Sequence, residues 1–95
     1  MKDIRDSKIE QLMQAFLLIQ TKQECSYFFE DLCTWKEIYA FSQRLDVAKR
    51  LMEGHTYEMI EELTGATFNT ISRVQKVLQK NPNPFISTIL KRIES

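Results

Sequence analysis

Apolar residues recur at steps of three and four along most of this 95-residue chain, and this spacing limits what the chain can fold into. Two rows near the start are Ile9, Leu12, Met13, Phe16 and Leu17, followed by Cys25, Phe28, Phe29, Leu32 and Cys33. Side chains at these steps share one face of an α-helix. Strand-like alternation, internal repeats and low-complexity tracts are absent from the sequence. We therefore predict an all-α fold of about six helices.

Capping residues predict where the second and third helices begin. Thr21 precedes Glu24 by three residues, and Thr34 precedes Glu37 by the same step. In this capping box the hydroxyl and the carboxylate satisfy amide groups that a helix start leaves unpaired. Two helix starts therefore follow from the sequence itself.

The third helix is predicted to run from Trp35 to about Glu53, because Gly54 can adopt the left-handed conformation that ends a helix. Its apolar residues cover too much of its circumference for a one-sided surface helix. A second copy of the chain can cover such a helix. We predict a homodimer interlocked through residues 1–54. The alternative is a monomer in which the first two helices alone wrap the third.

Two short helices are predicted over residues 56–80. Thr56 and Thr67 stand at their starts, and Gly65 permits a tight turn between them. The sequence NPNP at 81–84 ends the second helix, because proline cannot continue one. Residues 85–95 form a final amphipathic helix. A chain of this length fits one domain over 1–95, divided into dimerisation helices, a helix-turn-helix and a C-terminal helix.

Composition excludes several classes of protein. The apolar runs are far shorter than a membrane span, and a secretory leader is missing, so we expect a cytoplasmic protein with no membrane partner. Cys25 and Cys33 lack metal-finger spacing and occupy apolar helical positions, so we expect no metal. The single histidine, His55, has no partner at catalytic spacing, so we expect no enzyme.

Charge is balanced overall, with thirteen basic and thirteen acidic residues, but it is sorted along the chain. Three acids, Glu58, Glu61 and Glu62, precede Gly65, and their simplest interpretation is a solvated face. The segment 67–80 that follows contains Arg73, Lys76 and Lys80 and no acid. This segment is the only clean basic element of the sequence.

The second helix of a helix-turn-helix can enter a DNA major groove. We expect apolar contacts between the two helices from Ile60 and Leu63 on the first and from Ile71, Val74 and Leu78 on the second. The predicted DNA-binding residues are the exposed remainder of the second helix: Thr67, Phe68, Asn69, Thr70, Ser72, Arg73 and Lys76.

These side chains suit the two kinds of contact that DNA offers. Asn69 can bond an adenine edge through two atoms, and Phe68 can contact thymine methyl groups. Thr67 and Thr70, with the free amides of the helix start, suit phosphate oxygens. Arg73 and Lys76 can neutralise phosphates one turn further on.

The stretch QRLDVAKRLMEGHTYEMIEELTGATFNTISRVQKVL, residues 43–78, resembles the Trp repressor family. The segments FFEDLCTWKEIYAFSQRLDVAKRLMEG and TGATFNTISRV are similar to its Trp-repressor-like YerC/YecD branch. The resemblance covers residues 21–80. It implies an intertwined homodimer of six-helix subunits that binds an operator through a pair of helix-turn-helix units.

The resemblance also implies candidate effector residues. Arg44 and Arg73 match the two arginines that enclose tryptophan in the classical repressor. Val74 stands where that repressor has a glycine, and Val77 where it has a serine that holds the ligand amine. Both changes argue against tryptophan, so we expect no cofactor; the alternative is that tryptophan or another small effector binds. For Arg44 we weigh an ion pair with an acid on its own or a neighbouring helix, such as Asp31, above effector binding, and for Arg73 a phosphate contact comes first.

The sequence thus predicts a sequence-specific DNA-binding transcriptional regulator, and a repressor in particular, whose partners are a double-stranded operator and a second copy of the chain. The alternative is a protein-interaction module that docks on another regulator or on RNA polymerase without reading DNA. The neutral overall charge and the acids of the first helix slightly favour this alternative.

Overall fold

The computed structural model describes residues 6–94 and consists there of six α-helices without strands. The helices are α1 (Ser7–Leu18), α2 (Lys22–Leu32), α3 (Trp35–Met52), α4 (Tyr57–Thr64), α5 (Phe68–Lys80) and α6 (Phe85–Glu94). The predicted all-α class and the number of helices are confirmed. The predicted segments 1–54 and 85–95 include residues 1–5 and 95, which lie outside the described residues. The division into one domain with three parts stays a prediction.

Hydroxyl caps fix the helix starts where the sequence placed them. Thr21 Oγ1 accepts a hydrogen bond from the Glu24 amide at 3.0 Å. The Glu24 carboxylate accepts one from the Gln20 amide at 2.9 Å, one residue earlier than in the usual box. Thr56 caps α4 in the same way, through the Met59 amide at 3.2 Å. These bonds satisfy amides that would otherwise lack a partner.

The chain forms two compact units, of which the first extends to Trp35 and contains α1 and α2. Its centre is a group of three aromatic rings, in which Phe16 lies 5.6 Å from Phe28 and 5.9 Å from Phe29 between ring centroids. Neither helix contains a fully buried residue. Cys25 and Cys33 are half-buried free thiols. This unit therefore leaves much of its apolar surface uncovered within a single chain.

The second unit begins at Lys36 and has a continuous apolar core. The core draws residues from α3, α4, α5, α6 and the turn between α4 and α5. Its members are Val47, Ala48, Ile60, Ala66, Ile71, Val74 and Leu90. Val47, Ile60 and Ile71 are fully buried. Burial of these side chains holds the last four helices together.

Leu63 departs from its predicted inward position, since 54% of its surface is exposed. In the eight-residue α4, Ile60 is buried and Thr64 follows it by one turn. The Thr64 hydroxyl donates to the Ile60 carbonyl at 2.6 Å, which satisfies its polar group at this half-buried position. The face of α4 that packs inward therefore contains Ile60 and Thr64, and Leu63 lies outside it.

None of the described helices has the length and apolar composition that crossing a membrane requires.

We expect Ile60→Ala to lower the free energy of unfolding by about 2–5 kcal/mol, because it leaves a cavity in the core. Leu63→Ala is the matched control on the same helix, with an expected change within about 0.5 kcal/mol. Urea denaturation at one fixed protein concentration measures both. Equal losses for the two variants would contradict this description of the core.

Candidate nucleic-acid interface

A tight turn built from three consecutive residues joins α4 to α5. Gly65 ends α4 with φ of 74°, in the left-handed region that a side chain would strain, and its amide donates to the Glu61 carbonyl at 2.9 Å. Thr64 Oγ1 accepts a hydrogen bond from the Ala66 amide at 3.1 Å. Ala66 itself is buried. The direction in which α5 leaves the turn is thus fixed by backbone conformation, hydrogen bonding and burial together.

Helix α3 anchors the same turn from the side. Gln43 Nε2 donates to the Thr64 carbonyl at 3.1 Å, across 21 residues of sequence. This carbonyl belongs to the last turn of α4, where helix geometry leaves carbonyls without an internal donor. The side chain from α3 therefore ties the helix pair to the core.

The first turn of α5 is ordered by Thr67. Its Oγ1 accepts a hydrogen bond from the Thr70 amide at 3.3 Å and lies 3.2 Å from the Thr70 hydroxyl. The amides of Phe68 and Asn69 belong to the positions that have no acceptor within a helix. The positive end of the helix dipole adds to their field. The start of α5 can therefore accept an anion such as a phosphate oxygen.

The structure places the predicted site residues along one helix but with unequal exposure. Those that are exposed are Thr67, Phe68, Asn69, Arg73 and Lys76. Thr70 and Ser72 are half-buried. The predicted contact of all seven with DNA stays a prediction.

Tyr57 is a neighbour of the predicted site that sequence reasoning missed. Its ring centroid lies 5.4 Å from that of Phe68, with the ring planes inclined by 57°. The two residues are eleven positions apart, on different helices. The helix periodicity within α4 marks Tyr57 only as an inward residue, so the pairing could not be seen before the helix crossing was known.

The acids of α4 are all on the exposed surface. Glu58, Glu61 and Glu62 belong to the exposed residues, as the solvated-face interpretation predicts. Residues 67–80 contribute cations and no acid. The acids of this region therefore lie on α4, and its cations lie on the adjacent helix α5.

An open cavity of about 360 Å³ lies between α3 and α5. Its lining residues are Ala40, Gln43, Arg44, Thr70, Arg73, Val74 and Val77. The two predicted effector residues, Arg44 and Arg73, thus line one cavity. The Arg44 guanidinium also lies 5.5 Å from the centroid of the Phe41 ring, a cation–π contact that the sequence did not predict.

Val74 and Val77 contribute apolar groups to the same cavity. Val74 is buried, whereas 53% of the surface of Val77 is exposed. By the resemblance, the branched Val74 side chain stands where a flat aromatic ring would lie, and Val77 replaces the serine that would hold the ligand amine.

Six helices, with a tight turn between the fourth and the fifth and an exposed start of the fifth, define an all-α protein of the helix-turn-helix class. A sequence model of the Trp repressor protein family matches residues 7–94. The chain belongs to this family.

Three relatives support the assignment. The uncharacterized protein YerC of Bacillus subtilis (strain 168) is 47% identical over 75 residues, which are 79% of this chain and 72% of YerC. The crystal structure of a candidate Trp repressor from Staphylococcus aureus has a TM-score of 0.88 and 40% identity, covering 99% of this chain and 96% of that one. A TrpR-like protein from Eubacterium eligens ATCC 27750 has a TM-score of 0.87 and 41% identity, covering 96% and 93%.

We expect calorimetric titration with L-tryptophan to give no binding heat, because by the resemblance Val74 intrudes where the indole would lie and Val77 replaces the serine that would hold the amine. The control is the same titration into Arg44→Ala, which lacks one of the two arginines of the cavity and gives the background heat of dilution. Saturable heat from the unsubstituted chain alone would show that the cavity accepts the ring.

Proposed function

We propose that the chain is a sequence-specific DNA-binding transcriptional regulator that acts in the cytoplasm as a homodimer and represses its target genes. It reads the major groove with residues 67–76. The observation that carries this proposal is the start of α5, which is capped, exposed and free of acids. A helix presented in this way fits the groove of B-DNA.

Base recognition falls to the first residues of α5. The side-chain amide of Asn69 can donate to adenine N7 and accept from its N6 amino group through two parallel bonds. Phe68, the preceding residue, offers an apolar ring with 59% of its surface exposed. Ser72 lies one turn later and can donate or accept. These side chains discriminate between base pairs, whereas backbone contacts do not.

Phosphate binding falls to the helix start and to two cations. Thr67 and Thr70 carry hydroxyls at the positive end of the helix, and Arg73 and Lys76 follow on exposed positions. Each neutralised phosphate releases condensed counterions, so affinity falls steeply with salt. The acids of α4 lie on a preceding helix, where they repel phosphates unless that helix turns them away.

The homodimer proposal rests on apolar surface that one chain leaves uncovered. Leu17 in α1 is 83% exposed, and Trp35 at the start of α3 is 76% exposed. Further exposed apolar side chains on α1, α2 and α3 are Leu12, Met13, Phe16, Leu18, Tyr27, Leu32, Tyr39, Phe41 and Met52. Isolated soluble domains rarely expose so many, and obligate dimers bury them. Dimerisation would pair two copies of α5 for adjacent major grooves.

A second candidate function is docking on another regulator or on RNA polymerase without reading DNA. The observation that favours it is on α4, where Met59 and Leu63 are exposed beside three acids. A protein partner could cover such a mixed surface, whereas DNA would be repelled by it.

Gel-shift titration against genomic fragments at two salt concentrations separates the two functions. The operator reader retards selected fragments and loses affinity as salt rises. A docking module gives no retarded fragment even at low salt.

We expect Asn69→Ala to weaken binding to a selected fragment by about 1–3 kcal/mol and to relax its base preference, because it removes a two-atom contact to one base. Random DNA should be bound almost unchanged. Gln79→Ala, an exposed amide near the end of α5, is the matched control. Equal losses on selected and random duplexes would contradict a base contact.

Lys76→Ala should weaken binding to all duplexes alike and reduce the salt slope by about 1, because it removes one phosphate contact. Lys22→Ala removes an exposed lysine from α2, outside the proposed interface, and should leave the slope unchanged. A loss confined to the selected fragment would assign Lys76 to base reading instead.

Sedimentation equilibrium at micromolar concentration should give twice the 11.3 kDa mass of one chain. Leu17→Glu should shift the distribution toward single chains, because it places a charge in the proposed apolar interface. A single species of 11.3 kDa for the unsubstituted chain would rule out a dimer with two helix-turn-helix units spaced by about 34–36 Å.

A further inference from the structure

The aromatic pair of Tyr57 and Phe68 lies at the point where α5 begins. The function proposed above uses the Phe68 ring but gives no role to Tyr57. Tyr57 is the first residue of α4, and Phe68 is the first residue of α5. Their ring centroids are 5.4 Å apart at an inclination of 57°. This separation is within the range in which aromatic pairs attract each other beyond their burial.

The two rings differ in what holds them. Tyr57 is half-buried and packs against the apolar core, so its ring is fixed by the fold. Phe68 leaves 59% of its surface to solvent and rests on Tyr57 with one side. Its backbone is fixed as well, because Thr67 caps the helix immediately before it. Phe68 is therefore an exposed ring with a preset direction.

An exposed aromatic ring that is held in place loses little conformational freedom when it binds a partner. The major groove offers one apolar group to such a ring, the C5-methyl of thymine. Asn69 follows Phe68 directly and has the chemistry to read adenine. The two neighbouring side chains therefore suit a half-site that contains adjacent A·T pairs.

We propose that Tyr57 is a positioning residue that holds the Phe68 ring against a thymine methyl group, so that the pair selects DNA by that methyl. The proposal rests on the proposed function and adds Tyr57 as the residue that orients the Phe68 ring toward the methyl group. A pair that only stabilised the fold would give no dependence of affinity on the methyl group.

Duplexes that differ only in this methyl group test the proposal. The unsubstituted chain first enriches duplexes from a random-sequence pool. The enriched sequences are then amplified with either thymidine or deoxyuridine triphosphate; the latter retains base pairing and removes every thymine C5-methyl between the primers. Each protein is titrated against both forms, and the ratio of the two affinities is recorded. Because both titrations use one preparation, a partly unfolded fraction cancels in the ratio.

We expect the unsubstituted chain to bind the uracil form at least about fourfold more weakly than the thymine form. This factor corresponds to the free energy of burying one methyl-sized group. Phe68→Ala should bind both forms alike. In Tyr57→Ala the thymine-to-uracil affinity ratio should fall most of the way to one. In Tyr57→Phe the ratio should stay at the value of the unsubstituted chain, because the supporting ring remains. Met59→Ala removes an exposed apolar side chain from the same helix and should leave the ratio unchanged.

Each other outcome overturns the proposal in an identifiable way. Equal affinity of the unsubstituted chain for both forms removes methyl reading while leaving DNA binding intact. If Phe68→Ala keeps the thymine-to-uracil affinity ratio of the unsubstituted chain, another residue contacts the methyl group. If Tyr57→Ala keeps that ratio, Tyr57 does not position Phe68. Failure to enrich any duplex would overturn the proposed function, and this inference with it.

Discussion

The left-handed turn at Gly65, held against a buried apolar core, is the constraint on which the rest of the second unit depends. Ile60 before the turn and Ile71 after it are both fully buried, so the two helices cannot rotate without exposing one of them. The hydrogen bond from Gln43 to the Thr64 carbonyl adds a tie to α3. The exposure of Phe68 and Asn69 follows from this arrangement, because burial of Ile71 on the same helix determines which residues of α5 face solvent.

Features that depend on neighbouring residues could be predicted from the sequence. Thr21, Thr56 and Thr67 each cap the helix that they were expected to begin, since a cap needs only the three residues that follow it. The turn at Gly65 follows from its lack of a side chain. Helix-turn-helix class and family membership followed from these local features and from the residues that carry the resemblance.

Features that depend on helix crossing could not be predicted in the same way. Leu63 has the spacing of a core residue, yet Thr64 takes the inward position because its hydroxyl bonds back to its own helix. The contact between Tyr57 and Phe68 and the cation–π contact of Arg44 appear only when tertiary packing is known. Contact of residues 67–76 with DNA, dimerisation and any effector concern molecules outside the chain, and they stay predictions.

Helix α5 divides two tasks between its sides. Ile71 and Val74 contribute to the apolar interior, whereas Phe68, Asn69 and Lys76 are directed to solvent. Exchange of exposed side chains usually changes stability little, while exchange of buried ones changes it much. The outer side of this helix is therefore free to diverge among related genes, or to be redesigned for a new target, at little risk to the scaffold that carries it.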